Sequence, residues 1–255
     1  MCIRDRDNND LEQNYEDFIS TVSHELRTPL TSIRGFSQTM LASWDKLDDD
    51  SKKKFIKIIE EQSNRLIHLV ENMLSVTKLR AGNNHFVYKS VEVQTPIEQT
   101  ISIVKNQYKN HSFEFKCSEN IPNIFVDKDK FQQIMTNLIE NSAKYSPDNS
   151  TTKILVNVEN NNVVISVENL GIGIDEKDYS KIFTKFARID NPLTRKVQGS
   201  GLGLYITKNL VEKMGGIISV KSEKMNDNSE LSKIRFTVSF PIKSIEEQAR
   251  IRCNQ

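Results

Sequence analysis

The hydrophobic period of this chain changes once, and that change limits its fold more than any single motif does. From Leu11 the apolar residues fall at Leu11, Tyr15, Phe18, Val22, Leu26, Pro29, Ile33, Phe36 and Met40, in steps of three and four. Such spacing lines them along one face of a long helix. A second, cleaner heptad runs through Ile59, Gln62, Leu66, Leu69, Met73 and Val76, and Gly82 follows as a stop. Between them "SWDKLDDDS" reads as a polar turn, with Ser51 or Asp50 as the cap of the second helix. Two helices joined in this way form an antiparallel hairpin. One hairpin cannot bury both faces of its seam, so a homodimer, a four-helix bundle, is the expected solution.

After "AGNNH" the period shortens. "HFVYKSVEV" reads as an extended lead-in, and "TPIEQTISIVKNQYKN" as a helix with Thr95 as cap, Pro96 at the first position and Glu98 closing a capping box. Strands "SFEFKC" and "NIFVD" precede the helix "KDKFQQIMTNLIENSAKYS". "TKILVNVEN" and "NVVISVEN" then form a hairpin through an Asn-rich turn. Asp175 is the expected cap of a helix reaching about Phe183, "GSGLGLYITKNLVEKMGG" is another helix, and "IISVKSE" and "SKIRFTVSFP" are closing strands. This pattern predicts an α/β sandwich, a mixed sheet with helices on one face. The expected division is a disordered or non-native leader at 1–10, the helical hairpin at 11–82, a linker at 83–90, the α/β domain at 91–243 and a tail at 244–255.

Composition removes several function classes. A formal charge of +1 offers no field for nucleic acid or an anionic membrane. No run of about 18 apolar residues exists, so no contact of this segment with a bilayer core is expected. Cys2, Cys117 and Cys253 are scattered, without metal-ligand spacing, which suits a reducing cytoplasm.

Chemistry first enters at "FISTVSHELRTPLTSI". Pro29 leaves the carbonyl of Glu25 without its helical amide partner, so the helix should bend there. The apolar register shifts at the same place and sets His24 beside the seam. A neutral imidazole on such a turn is a competent nucleophile, with Glu25 next to it to orient it or take its proton. An ordinary surface histidine would read the same way.

The "NLIEN" helix carries a second candidate. Phe131, Ile134, Met135 and Leu138 make a buried stripe, and Asn137, Asn141 and Lys144 make an adjoining polar one. Amide oxygens can ligate Mg²⁺ alongside waters, and a lysine one turn on can meet phosphate. "GSGLGL", Gly199 to Leu204, opens a helix whose amides suit phosphate, and no P-loop or Rossmann strand leads into it. "TKFARIDNPLTRKVQ" between the two glycine loops reads as a lid, from which Arg188, Arg195 and Lys196 are candidates to reach phosphate. Taken singly, each of these also fits ordinary polar surface.

"SHELRTPL", "NLIENSAKYS", "ENLGIGI", "FTKF" and "GSGLGL", in this order over roughly Leu11 to Ile242, resemble the catalytic core of sensor histidine kinases. The resemblance implies a dimerisation and phosphotransfer hairpin followed by an ATP-binding sandwich of the gyrase-like superfamily. It implies His24 as phosphoacceptor, Glu25 as its acid/base partner and Thr28 as the residue that positions water for dephosphorylation of a response regulator. It further implies Asn141 as the Mg²⁺ ligand, Lys144 and Arg188 as phosphate contacts, Tyr145 near the base, and Asn137, Asn169, Gly171, Gly173, Gly199, Gly201, Leu202 and Gly203 around ATP. Phe183 and Phe186 match a lid anchor, and a plain core role explains them equally well. A mobile link near Gly82 is implied, so that the ATP domain can reach the hairpin. The partner is a response-regulator receiver domain, and the expected setting is cytoplasmic, with the full-length protein anchored through a missing N-terminal region.

Two positions bear on the choice of activity. The superfamily's ATP hydrolases carry a water-activating Glu where this chain has Asn137, and an amide cannot serve as that base. At Asn169 the family usually has Asp, which reads the adenine amine. A neutral amide there weakens the contact by about 1 kcal/mol and can also donate, which relaxes discrimination against a 6-oxo purine. The competing reading is a nucleotide-sensing scaffold or phosphatase with a weakened ATP domain.

Overall fold

The computed structural model describes residues 3–80, 85–187, 200–225 and 231–243, with 247 and 250; for residues 3–19, 21 and 80 only the backbone course is described. The chain divides into two units, Met1–Thr77 and Lys78–Gln255. Gly82, Arg188, Arg195, Lys196, Gly199, Cys2, Cys253 and most of the 244–255 tail lie outside the described residues.

The first unit is the expected helical hairpin. α1 spans Ile3–Ser43 with Pro29 inside it, a 3-10 turn follows at Trp44–Lys46, and α2 begins at Asp49 and runs to Arg80. The helix starts at Ile3 rather than Leu11, and "IRDRDNND" contains no Gly or Pro to stop it. Pro29, Met40 and Leu69 are buried, Val22, Leu26, Ile33, Phe36, Leu66 and Met73 half-buried, as the seams predicted. Phe36 packs on Phe55 with ring centroids 5.2 Å apart. The cap of α2 is neither Ser51 nor Asp50 but Asp48, whose carboxylate accepts from Ser51 N at 2.7 Å and Ser51 Oγ at 2.8 Å. Those two bonds hold the Asp48 carboxyl below its ordinary pKa. Three consecutive acids and a serine all have capping chemistry, and only geometry selects among them.

The second unit is built on a five-stranded mixed sheet. In chain order its elements are β1 (Tyr88–Val91), α3 (Gln94–Gln107), β2 (Ser112–Cys117), β3 (Ile124–Asp127), α4 (Lys128–Lys144), β4 (Thr151–Glu159), β5 (Asn162–Ile172), α5 (Gly203–Lys213), β6 (Ile217–Lys224) and β7 (Leu231–Pro241). The large sheet has strand order β2-β4-β5-β7-β6, with β2 parallel to β4 and every other pair antiparallel. The lead-in strand β1 pairs with β3 in a separate two-stranded ladder. The β4–β5 hairpin closes through Asn160 and Asn161, both at positive φ (50° and 61°). Asn tolerates that region better than most residues, and a two-residue turn of this hand matches the strand twist.

Burial alternates along β4, β5 and β7, so one sheet face is covered. Ile154, Val156, Val163, Ile165, Val167, Val238 and Phe240 on that face are nearly or fully buried, as are Phe131, Ile134, Met135, Leu138 and Ile139 of α4. Phe131 meets Phe240 edge-on at 6.0 Å. Asp127 caps α4, accepting from Asp129 N and Lys130 N.

Two local expectations are corrected. α3 starts at Gln94, and the Glu92 carboxylate, not Thr95, accepts from its first amides: Gln94 N at 2.5 Å and Thr95 N at 2.9 Å. Glu98 instead accepts from the Gln94 side chain at 2.8 Å. The helix expected from Asp175 to Phe183 is two 3-10 turns, Glu176–Asp178 and Lys181–Phe183, and Asp175 makes no capping bond with its side chain. Its carboxylate pairs instead with Lys177 at 3.0 Å.

Candidate functional site

The histidine of the first unit lies one helical turn and more before Pro29. His24 and Thr28 are exposed, and Glu25 is half-buried. Thr28 Oγ1 donates to the His24 carbonyl at 3.4 Å, while the Glu25 carboxylate lies 3.3 Å from Arg65 Nη2 of α2. The imidazole is thus open to a reactant while its neighbouring carboxylate is held against the hairpin.

In the second unit two segments meet along α4. The first turn of α5 lies against the amide stripe: Asn137 Nδ2 donates to Gly203 O at 3.4 Å and Thr207 Oγ1 at 3.3 Å. A Cβ at Gly203 would sit 3.7 Å from Asn137 Oδ1 and 4.0 Å from Asn141 Nδ2, so both amides face the helix start. Asn141 and Lys144 are half-buried, and Lys144 Nζ lies over the Tyr145 ring at 5.8 Å.

The end of β5 passes the C-terminus of the same helix. Asn169 is 3% exposed; its Nδ2 donates to Ser146 Oγ and to Leu170 O, both at 3.0 Å. At Gly171 a Cβ would come within 2.8 Å of the Tyr145 carbonyl, a backbone atom that cannot swing aside. Gly173 is fixed by a different segment: a Cβ there would stand 2.5 Å from Ser232 Oγ. Ser222 of β6 ties the following turn down, its Oγ accepting from Ile174 N at 3.0 Å and its amide donating to Tyr179 Oη at 2.7 Å.

The second glycine loop is pinned by conformation. Gly201 has φ +65°, and a Cβ there would meet the Phe186 backbone at 2.7 Å. Leu202 is fully buried, so its side chain belongs to the core and only its main chain is left for a ligand. Phe183 is likewise buried, edge-on to Phe236 at 6.4 Å, which favours the core role for it.

Amide side chains on one helix, the N-terminus of a second and close-packed glycines beside them are the parts of an anion and purine site. Residues 126–244 match the histidine kinase-, DNA gyrase B- and HSP90-like ATPase family, and residues 15–82 match the His Kinase A (phospho-acceptor) domain. The two domains, in this order, are those of a histidine-kinase catalytic core.

The relatives of this kinase core agree. It is 30% identical over 225 residues to the signal transduction histidine-protein kinase ArlS of Staphylococcus epidermidis, covering 88% of this chain and 48% of that one. It is 32% identical over 247 residues to the sensor histidine kinase WalK of Bacillus subtilis, covering 93% and 38%. The chain therefore spans half or less of the length of these relatives. Among solved structures, the histidine kinase ThkA in complex with the response regulator protein TrrA aligns with a TM-score of 0.69 and 24% identity, over 93% of this chain and 65% of that one. The Acinetobacter baumannii histidine kinase AdeS aligns at 0.63 and 21%, over 87% and 98%. At those identities the likeness speaks for the fold. No helix among the described residues is long and apolar enough to cross a membrane.

Of the expected site residues, the kinase core brings Asn137, Asn141 and Gly203 together along the second half of α4, and Tyr145, Asn169 and Gly171 together at its C-terminal cap. Ser146, Thr207, Ser222 and Tyr179 were not singled out in the sequence. Each acts by a hydrogen bond to a distant segment, and nothing in its local pattern marks it.

Proposed function

We propose that this chain uses ATP to phosphorylate His24 and passes the phosphoryl group to an aspartate of a response regulator. The supporting observation is the pairing, in one chain, of an exposed histidine on a helix that carries an internal proline with an amide-and-glycine site at the start of α5. A ring nitrogen of His24 forms a bond to the γ-phosphorus as the bond to the ADP oxygen breaks, and Glu25 takes the imidazole proton. Alignment and charge neutralisation are the main requirements of such a transfer.

Lys144 lies at the phosphate end of this reading, Tyr145 beside the base, and Asn169 reads the adenine amine. Asn137, which holds the first turn of α5, has no carboxylate with which to activate water, so His24 rather than water is the acceptor. For Mg²⁺ the donor chemistry fits: the Asn141 amide makes no side-chain hydrogen bond among the described residues, and a single neutral oxygen beside phosphate oxygens and waters is ordinary for this ion. When bound, the cation would neutralise triphosphate charge. Arg188 and Gly199 complete the assignment from outside the described residues.

A homodimer follows from the hairpin. Leu30, Ile56, Ile67, Val70 and Leu74 are 42–54% exposed, and a second copy forming a four-helix bundle would cover such faces. Thr28, exposed one turn from His24, serves the opposing reaction, in which water hydrolyses the regulator's phosphoaspartate.

The rival reading, a nucleotide-sensing scaffold or phosphatase, draws on the uncharged Asn169. Incubation with γ-labelled ATP separates the two. Label should enter the intact chain and be absent from His24→Ala and Asn141→Ala. Label retained in His24→Ala, or none in the intact chain while ATP is bound, refutes the kinase reading.

A further inference from the structure

Asn169 stands where a carboxylate would offer only acceptors, and an amide in its place can turn either an oxygen or a nitrogen toward a base. Its surroundings leave one orientation. The Ser146 hydroxyl donates to the Ser142 carbonyl at 2.5 Å, so its proton is committed and only its lone pairs face Asn169. The Leu170 carbonyl has no proton to give. Both neighbours of Asn169 Nδ2 are therefore acceptors, each at 3.0 Å, and together they use both amide protons. Turning the amide over would set Oδ1 against two lone pairs at the same distance, inside a site where the residue is 3% exposed. Among the described residues nothing donates to Asn169 Oδ1.

We infer that Ser146 is a positioning residue for base selection: it locks the Asn169 amide so that its oxygen alone is left for the ligand, and the site takes a 6-amino purine and rejects a 6-oxo purine. Asn169 then acts as an uncharged equivalent of a carboxylate. The loosened discrimination expected for a freely rotating amide does not arise, because the donor half is consumed within the protein. A 6-oxo purine would bring its own acceptor against Oδ1, and buried groups left in that state are strongly disfavoured.

This inference rests on reading the site as a nucleotide pocket. ADP and IDP differ at the 6-position and at the adjoining N1, and neither can be turned over by a kinase, so their dissociation constants on the whole chain test it by calorimetry. Wild type should bind ADP at least about tenfold tighter than IDP. Ser146→Ala should lower that ratio by at least about threefold, and Ser146→Thr, which restores a hydroxyl, should keep it. A merely loosened fold would weaken both nucleotides together and leave the ratio alone. If Ser146→Ala does not fold, Asn169→Asp serves instead, because a carboxylate can only accept: wild type should match its ratio within about tenfold. A smaller preference in wild type, a ratio that Ser146→Ala leaves unchanged, or a carboxylate variant far more selective than wild type overturns the inference. Binding of neither nucleotide overturns the pocket itself; equal binding of both overturns the lock alone.

Discussion

Asn137 on α4 and Thr207 on α5 are joined across 70 residues of sequence by a 3.3 Å hydrogen bond, beside a second bond from the same amide to Gly203 O. Thr207 is fully buried, so its hydroxyl has few other routes to satisfaction. Asn137→Ala should cost about 1 kcal/mol of stability and loosen the start of α5. Nucleotide affinity should fall more than the melting temperature suggests, and calorimetry with ADP beside a thermal melt checks this. Unchanged affinity would mean that the helix start is held by other contacts.

Asn169→Asp should separate stability from affinity. In the absence of ligand a carboxylate faces the Leu170 carbonyl and a Ser146 hydroxyl already committed elsewhere, so the variant should melt lower, by about 1–3 kcal/mol. With ATP bound, the adenine amine meets a charge-assisted acceptor and affinity should rise several-fold, about 1 kcal/mol. If calorimetry finds ATP bound no more tightly, the charge at this position is not what the base senses.

Gly171 and Gly35 make opposing predictions for the same substitution. Gly171→Ala drives a Cβ into the Tyr145 carbonyl at 2.8 Å and should cut nucleotide affinity by at least about tenfold. Gly35 lies inside α1 with nothing within 4 Å of a built Cβ, so Gly35→Ala should stabilise the hairpin by about 0.5–1 kcal/mol. Thermal melts of both variants read the contrast.

His111 gives the α/β unit a dependence on pH. It is 7% exposed, its Nε2 lies 2.7 Å from Thr152 Oγ1, and burial lowers its pKa from 6.5. The unfolded chain therefore takes up this proton at a higher pH than the folded one does. Its contribution to stability is complete above pH 6.5 and is lost as pH falls through the lower folded value. Melts at pH 7.5 and 5.5, conditions about one unit either side of the unbound value, should show wild type losing more than His111→Gln. Parallel losses would assign the acid sensitivity to other groups.

Arg65 and Glu25 each expose about a fifth of their side chains, which makes their 3.3 Å contact worth more than an open surface pair. A double-mutant cycle with Arg65→Ala and Glu25→Gln should give a coupling of about 0.5–1 kcal/mol. A coupling near zero would leave Glu25 free to turn toward His24 without penalty.

What the sequence made legible was whatever repeats over one or two turns. The seam through Pro29 and Met40, the buried stripe of α4 and its amide stripe, and the alternation of β4 and β5 all follow from local periodicity. The cap at Asp48 escaped because Asp49, Asp50 and Ser51 have the same chemistry beside it. The helix after Asp175 was expected from a cap alone, and the buried apolar pair there, Ile182 and Phe183, sits in a single 3-10 turn. The glycines were visible as a motif, yet the reason Gly171 must be one is a carbonyl 26 positions earlier. The Ser146–Asn169 lock was invisible for the same reason: no spacing within either segment records which atoms of the other it meets.

From Asn137 to Tyr145 α4 rises about 12 Å, with the α5 contacts at one end and the β5 contacts at the other. A single rigid element thereby sets the distance between the two ends of the site, in the manner of a ruler. Substitutions along it alter the strength of individual contacts. One residue inserted between Asn141 and Tyr145 would add about 1.5 Å and turn the ends by about 100°, so the two halves would no longer face a common ligand. The length of α4 is thus as much a part of recognition as any side chain on it.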